Sequence, residues 1–265
     1  MRAMRPIVRR KAAALTAGGT ALATLAVLAA SPATAGAAGT PSAQSEYQAV
    51  LKAVGNQGVH FSSVASQSGV TIHVDGDTGT TTGAQTLTVK KGSLAEQVTA
   101  MVVGSTGYVK ANAAALRNVI GLTNAQSHKY AGKWLSFPTT NSALGQLVGG
   151  LLNSQVATEL QMSGPYSYGT VTTVNGQKAL AVHGAVSTQS GAKVPEILYV
   201  AATGTPLPIE EVTNPKDAGG SSAIHGTVTF SHWGETTTKT APRTSVSLLK
   251  LVPGATSGAT STTGG

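Results

Sequence analysis

The sequence predicts one domain of the α+β class, a large curved antiparallel sheet whose concave apolar face is covered by amphipathic helices. Two long stretches, 59–103 and 166–233, alternate apolar and polar residues with the period of two that is typical of strands with one solvated face. Between them, residues 139–161 carry aliphatic residues at three- and four-residue intervals, which is the period of a helix. No Pro- or Gly-rich break separates two patterns, so we assign residues 46–253 to a single domain.

The first 35 residues have the pattern of a secretory signal peptide. A basic start precedes an apolar run over 12–30 and a small-residue cleavage site at Ala33-Thr34-Ala35. We expect export by the Sec route and cleavage after Ala35 or Ala37, which leaves a flexible segment over 36–45. The alternative is a retained membrane anchor, because a run of 19 residues nearly spans a bilayer. The abundance of Ala, Gly and Thr in the run and the A-x-A site favour cleavage.

Charge and cysteine content exclude several classes of protein. Five of the eighteen basic residues precede residue 36, which leaves thirteen basic against ten acidic residues and a net charge of +3 for the exported chain. This charge is too small, and Lys90-Lys91 is too isolated, for the basic face of a nucleic-acid-binding protein. The chain contains no cysteine, so disulfides, thiolate metal sites and a cysteine nucleophile are excluded.

The domain is predicted to begin with a helix over 46–54 that Gly55 ends. Its apolar residues recur at spacings of three, one and three, as on one face of a helix: Tyr47, Val50, Leu51 and Val54. Strands follow. The acidic stretch from Asp75 to Gly79 is predicted to be a turn, because its twelfth position lacks the bidentate acid that a calcium loop requires.

The stretch from Met101 to Pro138 is predicted to contain a hairpin, a helix and a strand. The cluster 104–107 supplies the turn between two strand-like segments. Asn112 can cap a helix that ends at Gly121. An apolar and aromatic strand follows, and Pro138 stops it: Trp134, Leu135, Ser136 and Phe137.

The strongest helical pattern of the chain lies over 139–161. Its aliphatic residues form one face: Leu144, Leu147, Val148, Leu151, Leu152, Val156 and Leu160. Gly149 and Gly150 interrupt this face, and each glycine costs up to about 1 kcal/mol relative to alanine inside a helix. Two interpretations stay open. The segment forms either two short core helices broken at the glycine pair, or a mobile lid with the pair as its hinge.

An antiparallel meander is predicted after Gly164-Pro165. Asn175-Gly176 is the preferred dipeptide of a type I′ hairpin turn and separates two of its strands. Residues 214–222 are predicted to be a polar loop before the last long strand, and 245–252 a short strand or helix. Residues 254–265 are small or polar and cannot form a core, so we predict a disordered tail.

The sequence carries no recognisable catalytic motif. The six histidines are scattered, without the i, i+2 or i, i+4 spacing of a local metal site. We find no G-x-S-x-G, no S-x-x-K with its partner motifs and no H-E-x-x-H. Glu210 and Glu211 are neighbours on a strand and face opposite sides of the sheet, so they are not a carboxylate pair for glycoside hydrolysis. We therefore expect a protein that is not an enzyme and uses no cofactor or metal ion.

Two regions of the sequence are similar to known lipid carriers. The order GYVKANAAAL then AGKWLSFP, and later LYVAATGTPLPIEEV then GTVTFSHWGETTTKTAP, resembles the LppX/LprG family of actinobacterial lipid-carrying cell-envelope proteins, which share a fold with the LolA lipoprotein carriers. The resemblance covers roughly residues 46–252. It implies a half-barrel sheet whose helices leave an apolar pocket for acyl chains. Members of that family usually carry a lipobox cysteine, and this chain has none.

The expected function is binding of a lipid, an acyl chain or a lipoprotein by a secreted or cell-wall-associated protein without a membrane anchor. Each methylene removed from water contributes about 0.8 kcal/mol, so an acyl chain can bind tightly without a polar motif. The small Val and Ala side chains of the strands need not fill the space opposite the helices. We predict that the cavity is lined by Val102, Trp134, Phe137, Leu144, Leu147, Val148, Leu151 and Leu152.

The alternative function is that of a cell-envelope structural or protein-interaction module. Such a protein would keep the same fold with a filled core and would contact wall polymer or another protein. The missing lipobox motivates this alternative, because it separates the chain from the membrane where a carrier would load.

Overall fold

The structure, a computed structural model, describes four stretches of the chain: residues 41–67, 69–187, 193–213 and 225–252. Four features predicted from the sequence lie outside them: the signal peptide, residues 36–40 of the flexible segment, the 214–222 loop and the 254–265 tail. Among the described residues, no helix combines the length and the apolar character needed to cross a membrane.

The described residues form one open sheet of twelve strands. In chain order these are β1 (His60–Gln67), β2 (Val70–Asp77), β3 (Thr82–Lys91), β4 (Leu94–Val103), β5 (Thr106–Ala111), β6 (Leu135–Pro138), β7 (Ser163–Val174), β8 (Gln177–Ser187), β9 (Lys193–Ala201), β10 (Pro208–Thr213), β11 (His225–Ser231) and β12 (Val246–Ser247). Across the sheet they lie in the order β12-β6-β5-β4-β3-β2-β1-β11-β10-β9-β8-β7. Only β12 and β6 run parallel. The predicted α+β class with a large curved antiparallel sheet is confirmed.

Five helices accompany the sheet in the described part of the chain: α1 (Ala43–Val54), α2 (Ala113–Ala115), α3 (Asn124–Tyr130), α4 (Ser142–Gly145) and α5 (Asn153–Glu159). A π-helical turn over Leu116–Ile120 continues α2, and a 3₁₀ turn over Leu248–Lys250 follows β12. The C-terminal stretch 245–252, predicted to be a strand or a helix, therefore contains one short element of each kind.

Local sequence signals explain the ends of these elements. The hydroxyl oxygen of Ser42 accepts from the N–H of Ser45 at 3.1 Å and caps α1, which therefore begins inside the segment predicted to be flexible. The predicted cap of α2 is confirmed, because the Asn112 side chain accepts from the N–H of Ala115 at 2.9 Å. The predicted type I′ turn is also confirmed. Asn175 and Gly176 have φ of 51° and 78° and join β7 to β8.

The connection from β6 to β7 crosses the concave face of the sheet. β6 lies next to one edge of the sheet and β7 forms the other edge, so residues 139–162, which we call the crossing segment, must span the distance between them. Its middle is attached to the strands. The N–H of Gly79 donates to the Leu151 carbonyl at 3.3 Å, and the N–H of Asn153 donates to the Gly79 carbonyl at 2.9 Å. A Cβ at Gly83 would collide with the same Leu151 carbonyl.

The crossing segment separates two hydrophobic cores. The first core covers β1 to β6, and its buried members include Phe61, Leu87, Val102, Leu116, Ile120, Leu122, Leu135, Phe137, Leu144, Leu147, Leu151 and Leu248. The second core lies beneath α1 and α5 and contains Tyr47, Val50, Val54, Val59, Val156, Leu160, Met162, Val182, Leu198 and Val200.

Asp77 and Thr82 fasten the segment that follows β11 to the ends of β2 and β3. The Lys239 ammonium lies 3.0 Å from Asp77 Oδ2, the N–H of Lys239 donates to Thr82 Oγ1 at 3.1 Å, and that hydroxyl donates to the Thr237 carbonyl at 3.0 Å. The prediction of a turn from Asp75 to Gly79 is wrong, because residues 75–77 belong to β2 and alternate across its two faces.

Asp77 also lies 2.9 Å from His60 Nδ1. Burial alone would raise the pKa of Asp77, but the hydrogen bonds from His60 and Lys239 outweigh it and hold the pKa below its ordinary value. A carboxyl with a lower pKa in the folded than in the unfolded state stabilises the fold above the unfolded-state pKa. That stabilisation is lost as the pH falls through the folded-state pKa.

We predict that Asp77→Asn lowers the free energy of unfolding by about 1 kcal/mol at pH 7, because Lys239 and His60 lose a charged partner. Urea unfolding of both proteins at pH 7 and pH 3 measures the effect, and the difference between them should shrink at pH 3. The control is Asp75→Asn, whose side chain is 66% exposed and 3.5 Å from His60. It should change stability by less than about 0.5 kcal/mol. An equal loss for Asp77→Asn at both pH values would contradict the sign of the pKa shift.

Candidate functional site

A cavity of about 110 Å³ lies on the concave face beneath α5, beside the second core. Its roof is formed by Gly149, Gly150 and the α5 end of the crossing segment, and its floor by strands β1, β11, β10, β9 and the end of β8. Most of the lining is apolar: Val59, Phe61, Ala65, Val156, Leu160, Val186, Val194, Val228 and Phe230. On the same scale a single water needs about 10–15 Å³, so the cavity is large enough to hold several small groups.

The cavity exists because one row of inward-facing side chains is small. Ala65 pairs with Gly226, Gly226 with Thr213, and Thr213 with Glu196, so these four residues lie side by side across β1, β11, β10 and β9. Alanine, glycine and threonine have small side chains, so space remains between the strands and α5. A second row starts at Ser63 and runs in the other direction, across β2, β3 and β4. Its members there are larger and belong to the first core: Val74, Leu87 and Val98.

The roof of the cavity is held at both ends of α5. At its start, Gln155 Oε1 accepts from the N–H of Gly150 at 3.0 Å and of Leu152 at 3.3 Å. At its end, the hydroxyl of Tyr47 donates to the Leu160 carbonyl at 3.1 Å and accepts from the N–H of Met162 at 2.7 Å. The roof is therefore tied to α1 and to its own preceding turn.

Polar groups collect on one part of the cavity wall. Glu196 and Glu211 line the cavity and are 1% and 7% exposed. The Thr213 hydroxyl donates to Glu196 Oε2 at 3.5 Å. Glu159, on the roof, is a third acidic lining residue. None of the described lining residues is a lysine, an arginine or a histidine, so the described part of the wall is rich in acceptors and its ionisable groups are acidic.

The structure places the sequence-predicted lining residues outside this cavity. Six of them are buried members of the first core: Val102, Phe137, Leu144, Leu147, Val148 and Leu151. Leu152 packs against that core, and Trp134 is partly exposed beneath the Lys110 ammonium, 5.0 Å from its ring centre. Their contact with a ligand stays a prediction. The predicted hinge glycines, Gly149 and Gly150, do line the cavity.

Sequence reasoning missed the strand residues that line the cavity. A signal was present at Glu211, which shares the inward alternation of β10 with Ile209 and Thr213 at a position where a period-two pattern expects an apolar residue. Among the described residues, those of the cavity included, no cluster of three His, Asp or Glu side chains is arranged to hold a metal ion.

No protein-family model matches the sequence, and no curated protein is similar to it. Solved structures with a similar fold include LprF from Mycobacterium bovis, 16% identical over 77% of this chain and 99% of that chain, with a TM-score of 0.49. The LolA superfamily protein NE2245 from Nitrosomonas europaea is 9% identical over 76% and 96%, with a TM-score of 0.26. The MucA/MucB complex of Pseudomonas aeruginosa matches at 12% identity over 74% and 59%, with a TM-score of 0.37.

The open, curved antiparallel sheet is the half-barrel that the resemblance to the LppX/LprG family implies. All three solved structures are less than 20% identical to this chain, with TM-scores below 0.5. A ligand therefore has to be argued from the cavity itself.

The crossing segment has the form of two short helices, α4 and α5, broken at the glycine pair. Gly150 has φ of 81°, a backbone conformation that favours glycine, whereas Gly149 does not have a positive φ. There is space for a side chain at both positions. The nearest atom to an added Cβ is 3.5 Å away at Gly150, the Cγ of Glu159, and 3.8 Å away at Gly149.

We predict that Gly150→Ala destabilises the protein by about 1–2 kcal/mol, because alanine must adopt a left-handed conformation. Gly149→Ala is the matched control and should change the free energy of unfolding by less than about 0.5 kcal/mol. Urea unfolding of the two single variants measures both values. If the glycine pair were instead a hinge that alternates between a broken and a helical form, either alanine would favour the helical form and stabilise the protein. Stabilisation by both variants would therefore contradict a fixed turn.

Proposed function

We propose that this protein is a secreted, non-enzymatic lipid-binding protein that holds an acyl chain in the cavity beneath α5. The observation that carries this proposal is an apolar cavity on the concave face of a packed sheet, with a roof made of one short helix. Its floor follows β1 from Phe61 to Ala65, which at about 3.3 Å per residue is about 13 Å. An elongated apolar floor suits a hydrocarbon chain.

The volume of the cavity determines how such a ligand would enter. Pockets that enclose drug-sized ligands measure about 300–1,000 Å³, and this cavity measures about 110 Å³. A long acyl chain therefore requires α5 to move away from the strands, or part of the chain to remain outside. The contacts that α5 makes through Gln155 and Tyr47 are the ones that such a movement would break.

Burial of the acyl chain supplies the free energy of binding in this proposal. At about 0.8 kcal/mol per methylene, eight buried methylenes contribute about 6 kcal/mol before the cost of moving the roof. The proposal requires no catalytic step, because the lining residues only have to hold the acyl chain and keep water away from it. The absence of a lipobox cysteine suits a carrier that is not anchored by acylation.

We predict that Ala65→Leu weakens ligand binding with little change in the free energy of unfolding. The added methyl groups would occupy the cavity, so the affinity for the uncharged apolar dye N-phenyl-1-naphthylamine should fall at least tenfold while the free energy of unfolding changes by less than about 1 kcal/mol. The matched control is Ala100→Leu, in the filled first core. It should cost about 1–3 kcal/mol and leave dye binding by the folded fraction unchanged.

The alternative function, an envelope structural or protein-interaction module, is favoured by the first core, where six of the eight predicted lining residues are buried. Native mass spectrometry of the protein purified from culture medium separates the two proposals. Co-purifying acyl species support lipid binding. A clean mass for the protein alone, together with no dye binding, would remove lipid binding and leave the interaction module.

A further inference from the structure

We propose that the cavity selects amphiphiles whose head group donates hydrogen bonds and carries no negative charge, such as an alcohol or an ammonium, over fatty acids. This inference rests on the proposed lipid-binding function and adds the chemical class of the head group. It comes from the acidic and acceptor-rich part of the cavity wall.

The two buried acids lie on neighbouring strands. Glu196 is paired with Thr213 and Glu211 with Leu198, so the two glutamates are diagonal neighbours on one face of β9 and β10. Such diagonal positions are roughly 7–8 Å apart. Glu159 adds a third acidic side chain from the roof, beside Gly150. A head group in this part of the cavity is therefore surrounded by acidic groups on two walls.

The polar and apolar parts of the cavity lie at different places along the strands. Phe61 on β1 and Phe230 on β11 are cross-strand neighbours, and both line the cavity. The row through Ala65, Gly226, Thr213 and Glu196 lies four residues further along β1, or about 13 Å. A single-chain amphiphile fits this arrangement with its tail over the phenylalanines and its head beside Thr213.

The acids can accept from a ligand in addition to the contacts that they already make. A carboxylate offers about four acceptor positions, so Glu196 can accept from several donors at once, of which the Thr213 hydroxyl is one. A hydroxyl or an ammonium supplies the donors that such acceptors use. A fatty-acid carboxylate supplies no donor, and no described lining residue is a basic side chain that could pair with it.

Glu210 offers a matched control on the same strand. It precedes Glu211, projects from the opposite face of the sheet and is absent from the described lining of the cavity. Burial raises the pKa of Glu210, although a hydrogen bond with Asn175 lowers it in part. Glu210→Gln thus removes one acid from β10 without changing the cavity wall.

The test uses three ligands of equal chain length, dodecylamine, 1-dodecanol and dodecanoate, which compete with bound N-phenyl-1-naphthylamine at pH 7.4 on the full exported chain. We expect the amine and the alcohol to displace the dye at concentrations at least tenfold lower than dodecanoate. In Glu196→Gln/Glu211→Gln this ratio should fall at least fivefold, mainly through tighter binding of dodecanoate. Glu210→Gln should keep the ratio of the parent protein.

The outcomes distinguish this inference from the function on which it rests. Dye binding with equal displacement by all three ligands would overturn the head-group preference and leave lipid binding intact. Loss of the preference in Glu210→Gln as well would assign it to overall charge and also overturn the inference. No dye binding by the parent protein would remove both proposals. If the double variant does not fold, Glu211→Gln alone carries the comparison, because one acid fewer should still lower the ratio.

Discussion

The position of the chain at the end of β6 constrains the rest of the structure. β6 lies beside one edge of the twelve-stranded sheet, and the next strand, β7, must form the other edge. The connection therefore has to pass over the concave face, where it needs an apolar side toward the strands and hydrogen bonds for its backbone. Leucines supply the first requirement, and the bonds with Gly79 supply part of the second. The two cores, the roof and the cavity all follow from this single crossing.

The strands and caps were predictable because their signals are local. Alternation of period two identified the meander, Asn175-Gly176 identified a turn, and Asn112 identified a helix start. Helix α3 was missed although it has a capping box, in which Thr123 and Gln126 bond each other's backbone N–H groups. Asp75 to Asp77 was misinterpreted because acidic residues and a glycine resemble turn chemistry even where they lie in a strand that ends in an ion pair.

The location of the cavity could not be predicted from the same signals. Hydrophobic periodicity indicates which side chains become buried, and the aliphatic face over Leu144 to Leu151 is indeed buried. It does not indicate where space is left over. That depends on which small residues become neighbours across the sheet, and Ala65 and Gly226 are brought together only by the pairing of β1 with β11. The leucines fill the side that they touch, and the space remains on the side where the rows are small.

The pairing of β1 with β11 also affects the rate at which the protein folds. Ser63 on the first strand pairs with Val228 on the last strand but one, so the middle of the sheet joins segments from opposite ends of the sequence. A contact of such long sequence separation forms slowly, because the entropy of closing a long loop is lost before the contact compensates for it. Until β11 pairs with it, β1 has an open edge through which the partly folded chain can associate with other chains. Pairing between incompletely folded molecules is thus the characteristic hazard of this topology.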